Sequence, residues 1–436
     1  MVEILLIVLF FYFLYRLIRN IGKSFPIFDL VIVLYLLQYG IAPLLEYNIY
    51  PQNSMSIDKD EYISFATFSC VAFILGLFSV KNKFKKLEIN ISSKLASNLG
   101  RGFLIIGLFG NLATFFLPYS FKAIFTFFVI LKSSGIFCLI YSDKKIDKAI
   151  IIIIFLQTAI TAILGAALIN FIVFSMFFLM FYSLRYKITL KSKISIIVIA
   201  LVFLSVFQSL KSQYRLLTWE EGKSWQSKLE WQSKLAILID VITLDSFISV
   251  FDTDIGNNKS FIQTVHRLNQ GWQTSMVVNH IPKHVNFENG NALIDDIISS
   301  VMPRFLMPNK RVVNDYKRFN YYTGHTLNDQ TSMSIGVIGD FYINFGFYGT
   351  IISMFVFGYF IARLTLWFYK KYIIYNPIDL VWLPFLFSYL IRPGNELYMV
   401  INHLIKAFIV FFIIRRFLYP NIKKKRLTGK ITPIEL

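Results

Sequence analysis

Residues 149–184 read AIIIIIFLQTAITAILGAALINFIVFSMFFLMFYSL, and no charged residue interrupts them. Lys144, Lys145 and Lys148 close the run on one side; Arg185, Lys187, Lys191 and Lys193 close it on the other. About 20 apolar residues cross a bilayer as a helix, so this run suffices for two crossings, 149–164 and 166–184, hinged near Gly165. The apolar residues are continuous rather than alternating, which selects helices over a closed barrel. Two crossings return the chain to the side it left, and both ends of the run are accordingly basic.

The same reading extends in both directions. Further apolar runs at 2–19, 27–45, 61–80, 101–119, 122–142, 193–210, 341–368, 377–392 and 397–418 bring the expected total to eleven crossings. A hydrophobic share of 56% exceeds that of a soluble domain. The sequence thus predicts an all-α polytopic membrane protein, one membrane domain over 1–436. The first run has neither a basic leader nor a small-residue cleavage site and reads as a retained helix. Cys70 and Cys138 sit inside apolar runs, which argues against a disulfide framework.

The formal charge of +19 would suggest a nucleic-acid partner in a soluble protein. Its placement says otherwise. The connectors holding Lys81 to Lys94, Lys144 to Lys148, Arg185 to Lys193 and Arg363 to Lys371 fall on one face, with the Lys423–Arg426 run at the end of the chain. By the positive-inside rule that face is cytoplasmic and its partner is anionic lipid, not nucleic acid. Residues 211–335, between the eighth and ninth crossings, are then predicted to lie outside, as a periplasmic or extracellular loop. They carry 13 Lys+Arg against 12 Asp+Glu.

That loop is too long for a plain connector. A helical stretch, Glu220 to Val250, contains Trp225-Gln226-Ser227-Lys228-Leu229 repeated as Trp231-Gln232-Ser233-Lys234-Leu235. Six residues turn a helix by about 240°, so these tryptophans do not share a face. Ala292 to Val301 reads as a short amphipathic helix lying along the membrane interface or the fold.

Four of six tryptophans are in the loop, Trp219, Trp225, Trp231 and Trp272. Such rings stack on sugars, and they equally anchor loops at headgroup level. The arginines are more telling. Arg215 follows the eighth crossing, Arg267 stands in His266-Arg267-Leu268-Asn269-Gln270-Gly271-Trp272, and Arg304 stands in Pro303-Arg304-Phe305. Lys310, Arg311, Lys317 and Arg318 follow, so residues 301–325 sum to +4. Guanidinium groups grip phosphate oxygens in pairs, and a basic patch on an outer face is not explained by topology. The competing reading is ion pairing to acids of the loop itself. His325 suits general-base chemistry near neutrality, although a surface histidine has the same signature. His280 and His284 have metal-ligand spacing, but Pro282 between them breaks the helix that would align them. Arg392 and Glu396, at the outer end of the tenth crossing, are expected to pair or to line a cavity, and Lys132 in the fifth to face protein or water.

Arg267-Leu268-Asn269-Gln270, then Pro303-Arg304-Phe305 with Pro308-Asn309-Lys310, then Gly339-Asp340-Phe341-Tyr342-Ile343-Asn344-Phe345-Gly346 opening a span, resemble the Wzy-type O-antigen polymerases. Many members of that family carry Glu where this chain has Asp340. The resemblance implies a glycosyltransferase of the GT-C class in the bacterial cytoplasmic membrane, joining undecaprenyl-diphosphate-linked oligosaccharide units of an O-antigen, capsule or exopolysaccharide. It needs no cofactor or metal and admits a chain-length regulator as partner. In that reading Arg267 and Arg304 with Arg215 and Arg318 stabilise the diphosphate leaving group, and His325 or Asp340 accepts the proton of the attacking hydroxyl. Lys310, Trp272 and Arg392 join the binding surface. A ligase, or another transferase using lipid-linked sugar, would share nearly all these features. A flippase would instead show paired repeats, polar residues deep in several spans and short loops.

Overall fold

The computed structural model describes residues 1–49, 54–80, 91–117, 119–165, 168–218, 229–241, 258–302, 306–307, 310–313, 315–328, 331 and 333–418. Among them the protein is helical throughout, without a strand. The helices are α1 (Val2–Asn20), α2 (Ile27–Tyr35), α3 (Ala42–Ile49), α4 (Lys59–Phe78), α5 (Ser93–Phe116), α6 (Tyr119–Leu139), α7 (Lys145–Leu164), α8 (Ile169–Tyr186), α9 (Leu190–Thr218) and α10 (Trp231–Val241). They continue as α11 (Lys259–Leu268), α12 (Gly271–His280), α13 (Asn291–Val301), α14 (Tyr316–Thr323), α15 (Gly336–Phe368), α16 (Trp382–Phe387) and α17 (Leu397–Leu418). A π-helical turn, Leu36–Ile41, joins α2 to α3.

Seven helical segments among the described residues are long and apolar enough to cross a membrane. These are 27–49, 59–78, 145–164, 169–186, 190–207, 336–373 and 397–417. The chain is therefore membrane-embedded and polytopic. Helix also occupies the other expected positions, as α1, α5, α6 and α16, but α16 is short, and the count of eleven crossings is not established by length and composition. The expected two-helix reading of 149–184 holds, with α7 ending at Leu164, capped by Gly165, and α8 starting at Ile169.

Helices in lipid gain little from apolar burial and associate where backbones approach closely. The α4–α15 pair does this at Gly76 and Gly358. A Cβ on Gly76 would collide with the Phe355 carbonyl, and one on Gly358 with the Phe73 carbonyl. The α5–α6 pair closes in the same way at Gly100 and Gly135. Lys132 packs its aliphatic stem against Gly107 in that pair, so it faces protein as expected.

Two features depart from the sequence reading. Helix α9 runs on to Thr218 rather than ending near residue 210, because its last turns bury Tyr214 and Thr218. The Tyr214 hydroxyl donates to the Leu164 carbonyl at 2.9 Å, tying α9 to the α7–α8 hinge. Helix α15 breaks at Gly346 (φ 66, ψ −164). The Glu288 N–H donates to the Ile343 carbonyl just before the break, at 3.0 Å. The segment between α9 and α15 folds back onto the bundle: α11 packs on α9 and α3, α12 on α3 and α15, and α13 on α17 and α15.

Candidate functional site

The segment His266–Trp272 joins α11 to α12 and is fixed at several points. The Gln270 N–H donates to the Gln38 carbonyl at 3.0 Å, within the π-helical turn. Asn269 caps α12, its Oδ1 accepting from the Trp272 N–H at 3.0 Å. Its Nδ2 donates to Glu46 Oε2 at 2.6 Å. Gly271 leaves no room for a Cβ, which would strike the Tyr62 hydroxyl. Every one of these contacts restricts where Arg267 and His266 stand.

The last turns of α9 bring Lys211 and Arg215 against α11. Burial, then Arg215 and Arg267 beside it, push the Lys211 ammonium down to about 8. Burial and Arg267 push Arg215 down to about 10. Lys211 and Arg215 are thus held beside a neighbouring arginine, and cations drawn together suit a polyanion. Sequence reading picked Arg215 and Arg267 separately, and the structure unites them. It missed Lys211, which at the end of an apolar run resembles an ordinary edge lysine.

On the neighbouring helix turn, His266 Nδ1 faces Glu46 Oε1 at 3.3 Å. Glu46 is sealed from solvent, whereas the imidazole is 44% exposed. The Ser54 hydroxyl and N–H donate to the same oxygen of Glu46. A carboxylate on Nδ1 fixes ring orientation and tautomer and leaves Nε2 as the nitrogen that can take up a proton. This is the arrangement a general base requires. Glu46 drew no attention in the sequence, although an acid closing an apolar run is a usable signal.

His325 is exposed, and its ring meets Trp272 edge-on at 6.1 Å and Phe319 at 6.5 Å. Trp272 thus connects His325 to the anchored segment and is itself half-buried.

A second charged group forms where α13, α14, α15 and α17 converge. Arg311 bridges Asp296 and Glu396. Arg318 Nη1 lies 2.8 Å from Asp340 Oδ1 and 3.9 Å from Glu396 Oε1. The other Asp340 oxygen accepts from the Leu397 N–H at 2.7 Å. Three carboxylates meet two guanidiniums, and burial, then Asp340, push the Glu396 carboxyl up against the pull of the arginines. Protonation of Glu396 would bring the group to neutrality. Arg318 and Asp340, both expected at the substrate, lie in this buried lattice.

Arg392 does not pair with Glu396. It donates to Asn170 Oδ1 at 2.6 Å and lies over the Tyr389 ring. Lys310 donates to the Met302 carbonyl at 2.8 Å. Arg304 lies outside the described residues, as do Trp219 and Trp225. The His280 and His284 rings stack at 4.8 Å, and among the described residues no group of three metal-ligating side chains forms. Cys70 and Cys138 are both buried.

A family profile described as a domain of unknown function (DUF8712) matches residues 47–425, and the chain belongs to that family. No curated protein and no solved structure matches it.

Proposed function

We propose that this member of the DUF8712 family is a polysaccharide polymerase of the bacterial cytoplasmic membrane, transferring a glycan from an undecaprenyl-diphosphate carrier to a second lipid-linked repeat unit on the outer face. The observation that carries the reading is the packing of α9 on α11, which draws Lys211 and Arg215 to Arg267, whose chain neighbour His266 is held by the buried Glu46. A lipid-diphosphate donor brings a polyanion to headgroup height, and this is where a membrane helix, α9, runs past its apolar span.

The reaction is a displacement at the anomeric carbon. The attacking hydroxyl gives its proton to His266 or His325, the new glycosidic bond forms, and the bond to the diphosphate breaks. The charge that grows on the leaving group is met by Arg215, Arg267 and Lys211. Asp340 and Arg318, committed to each other, take an architectural part instead. Trp272 offers an aromatic face beside His325 for a sugar ring.

The test uses purified full-length protein in proteoliposomes with a fluorescent lipid-linked repeat unit. A ladder of products is expected. Transfer of one unit to a different acceptor would favour a ligase, and movement of the unit across the bilayer without bond formation would favour a flippase. Arg267→Ala should abolish the ladder while the protein stays in the membrane, since one such donor is worth about 10²–10³ in rate. Arg267→Lys should restore part of the activity, because a point charge lacks the guanidinium fork. A full ladder from Arg267→Ala would remove that residue from the mechanism.

A further inference from the structure

Helix α13 is built inside out. Asp296, Ser299 and Ser300 are 2–3% exposed and face the protein. Ile294, Ile297, Ile298 and Val301 are 55%, 44%, 43% and 60% exposed. At about 100° per residue, the four apolar side chains fill one arc of about 100°, and the three buried polar ones fill the opposite arc. A helix facing water has the reverse polarity. Met302, Leu306, Val312 and Val313, which follow in the chain, are exposed as well. Two exposed polar residues, Asn291 and Asp295, lie together on one flank of the arc.

The polar side is occupied. Asp296 pairs with Arg311, and the Ser300 hydroxyl donates to the Asp296 carbonyl at 2.7 Å. The helix start, Gly290, has no side-chain cap of its own. Asn344 of α15 supplies one from outside, its Oδ1 accepting from the Leu293 N–H at 3.2 Å. That contact ties the start of α13 to the part of α15 just before its break at Gly346. An interfacial helix turns such an apolar face toward acyl chains and its polar flank toward headgroups. Phe345, exposed on α15, lies against the Gly290 position, so the apolar face of α13 continues that of a membrane-spanning helix.

We infer that α13 is a bilayer-interface helix, with Ile294, Ile297, Ile298 and Val301 against lipid acyl chains and Asn291 and Asp295 toward the headgroups and water. The inference rests on membrane embedding alone and is independent of the enzymatic proposal. The occupant is lipid because the face adjoins membrane-spanning α15 and carries a polar flank on one side only. Helix α13 is then part of the membrane surface and not of a free-standing aqueous lid.

The test is site-directed spin labelling of the full-length protein in lipid nanodiscs. Cysteine is introduced singly at Ile297, Val301 and Asp295, with Lys283 as an exposed reference. Collision with oxygen should dominate at 297 and 301, and collision with a water-soluble nickel chelate should dominate at 295 and 283. Nickel-dominated signals at both 297 and 301 would place the face in water and overturn the inference. Spin–spin broadening at those positions, lost on dilution with unlabelled protein, would show that a second copy covers the face and would equally overturn it.

Discussion

Arg318 and Asp340 hold each other at 2.8 Å in a pocket that leaves their side chains 11% and 2% exposed. A buried pair that loses one partner strands the other charge, at a cost of about 3–5 kcal/mol. Arg318→Met should therefore lower the thermal midpoint of the detergent-solubilised protein and its level in the membrane. Asp340→Asn should be milder, because an amide oxygen still accepts from the Leu397 N–H. Lost turnover with an unchanged melting curve in Asp340→Asn would return that residue to the chemistry.

Lys211 makes anion binding sensitive to pH. Its ammonium titrates near 8 instead of 10.5, so it discharges as pH rises through about 8. Affinity for a short-chain prenyl diphosphate should fall from pH 7 to pH 9, on the order of tenfold for one charge-assisted contact. Lys211→Met should bind weakly and without that slope. Stability carries the opposite sign. Between about 8 and 10.5 the unfolded chain binds the extra proton, so the Lys211 contribution to stability rises with pH across that window. Wild-type affinity that stays flat from pH 7 to 9 would exclude Lys211 from the anion site.

Glu46 acts through His266. Glu46→Gln should lower kcat with KM little changed, since the ring loses its orienting charge and not its contact with substrate. His266→Gln should be at least as damaging, and adding Glu46→Gln to it should cost little more, because the pair works as a unit. Additive losses would show that the two residues act separately. Full activity in His266→Gln would leave His325 as the proton acceptor.

Gly76 sets the spacing of α4 and α15. Gly76→Val places atoms where the Phe355 carbonyl stands, and overpacking costs about 1–3 kcal/mol. Reduced thermal stability in detergent is expected, with Gly76→Ala intermediate. Melting of Gly76→Val at the wild-type temperature would mean that the helix pair adjusts freely.

Much of the fold was legible because membrane helices are written locally, as apolar runs of fixed length. A short amphipathic helix was expected at 292–301, and a helix is found at Asn291–Val301. Where hydropathy failed, charge misled it: Lys211 and Arg215 end an apolar window, but the helix continues through them. The site was legible only in part. Arg215 and Arg267 stood out by type, yet about 50 residues separate them, and no local pattern says that they meet. The +4 of residues 301–325 pointed to an open basic patch. The acids that neutralise Arg311 and Arg318 come from positions 296, 340 and 396, outside that window, and are brought in only by packing.

The bond from the Gln270 N–H to the Gln38 carbonyl runs main chain to main chain, so it does not register which side chain stands at 38. Position 38 is therefore expected to tolerate drift. Position 271 is not, since a Cβ there strikes Tyr62 and Pro43. A chimera that transplants 258–280 into another scaffold would have to import the turn at 36–41 as its cradle. Without it the grafted arginine and histidine would arrive intact in sequence and unplaced in space.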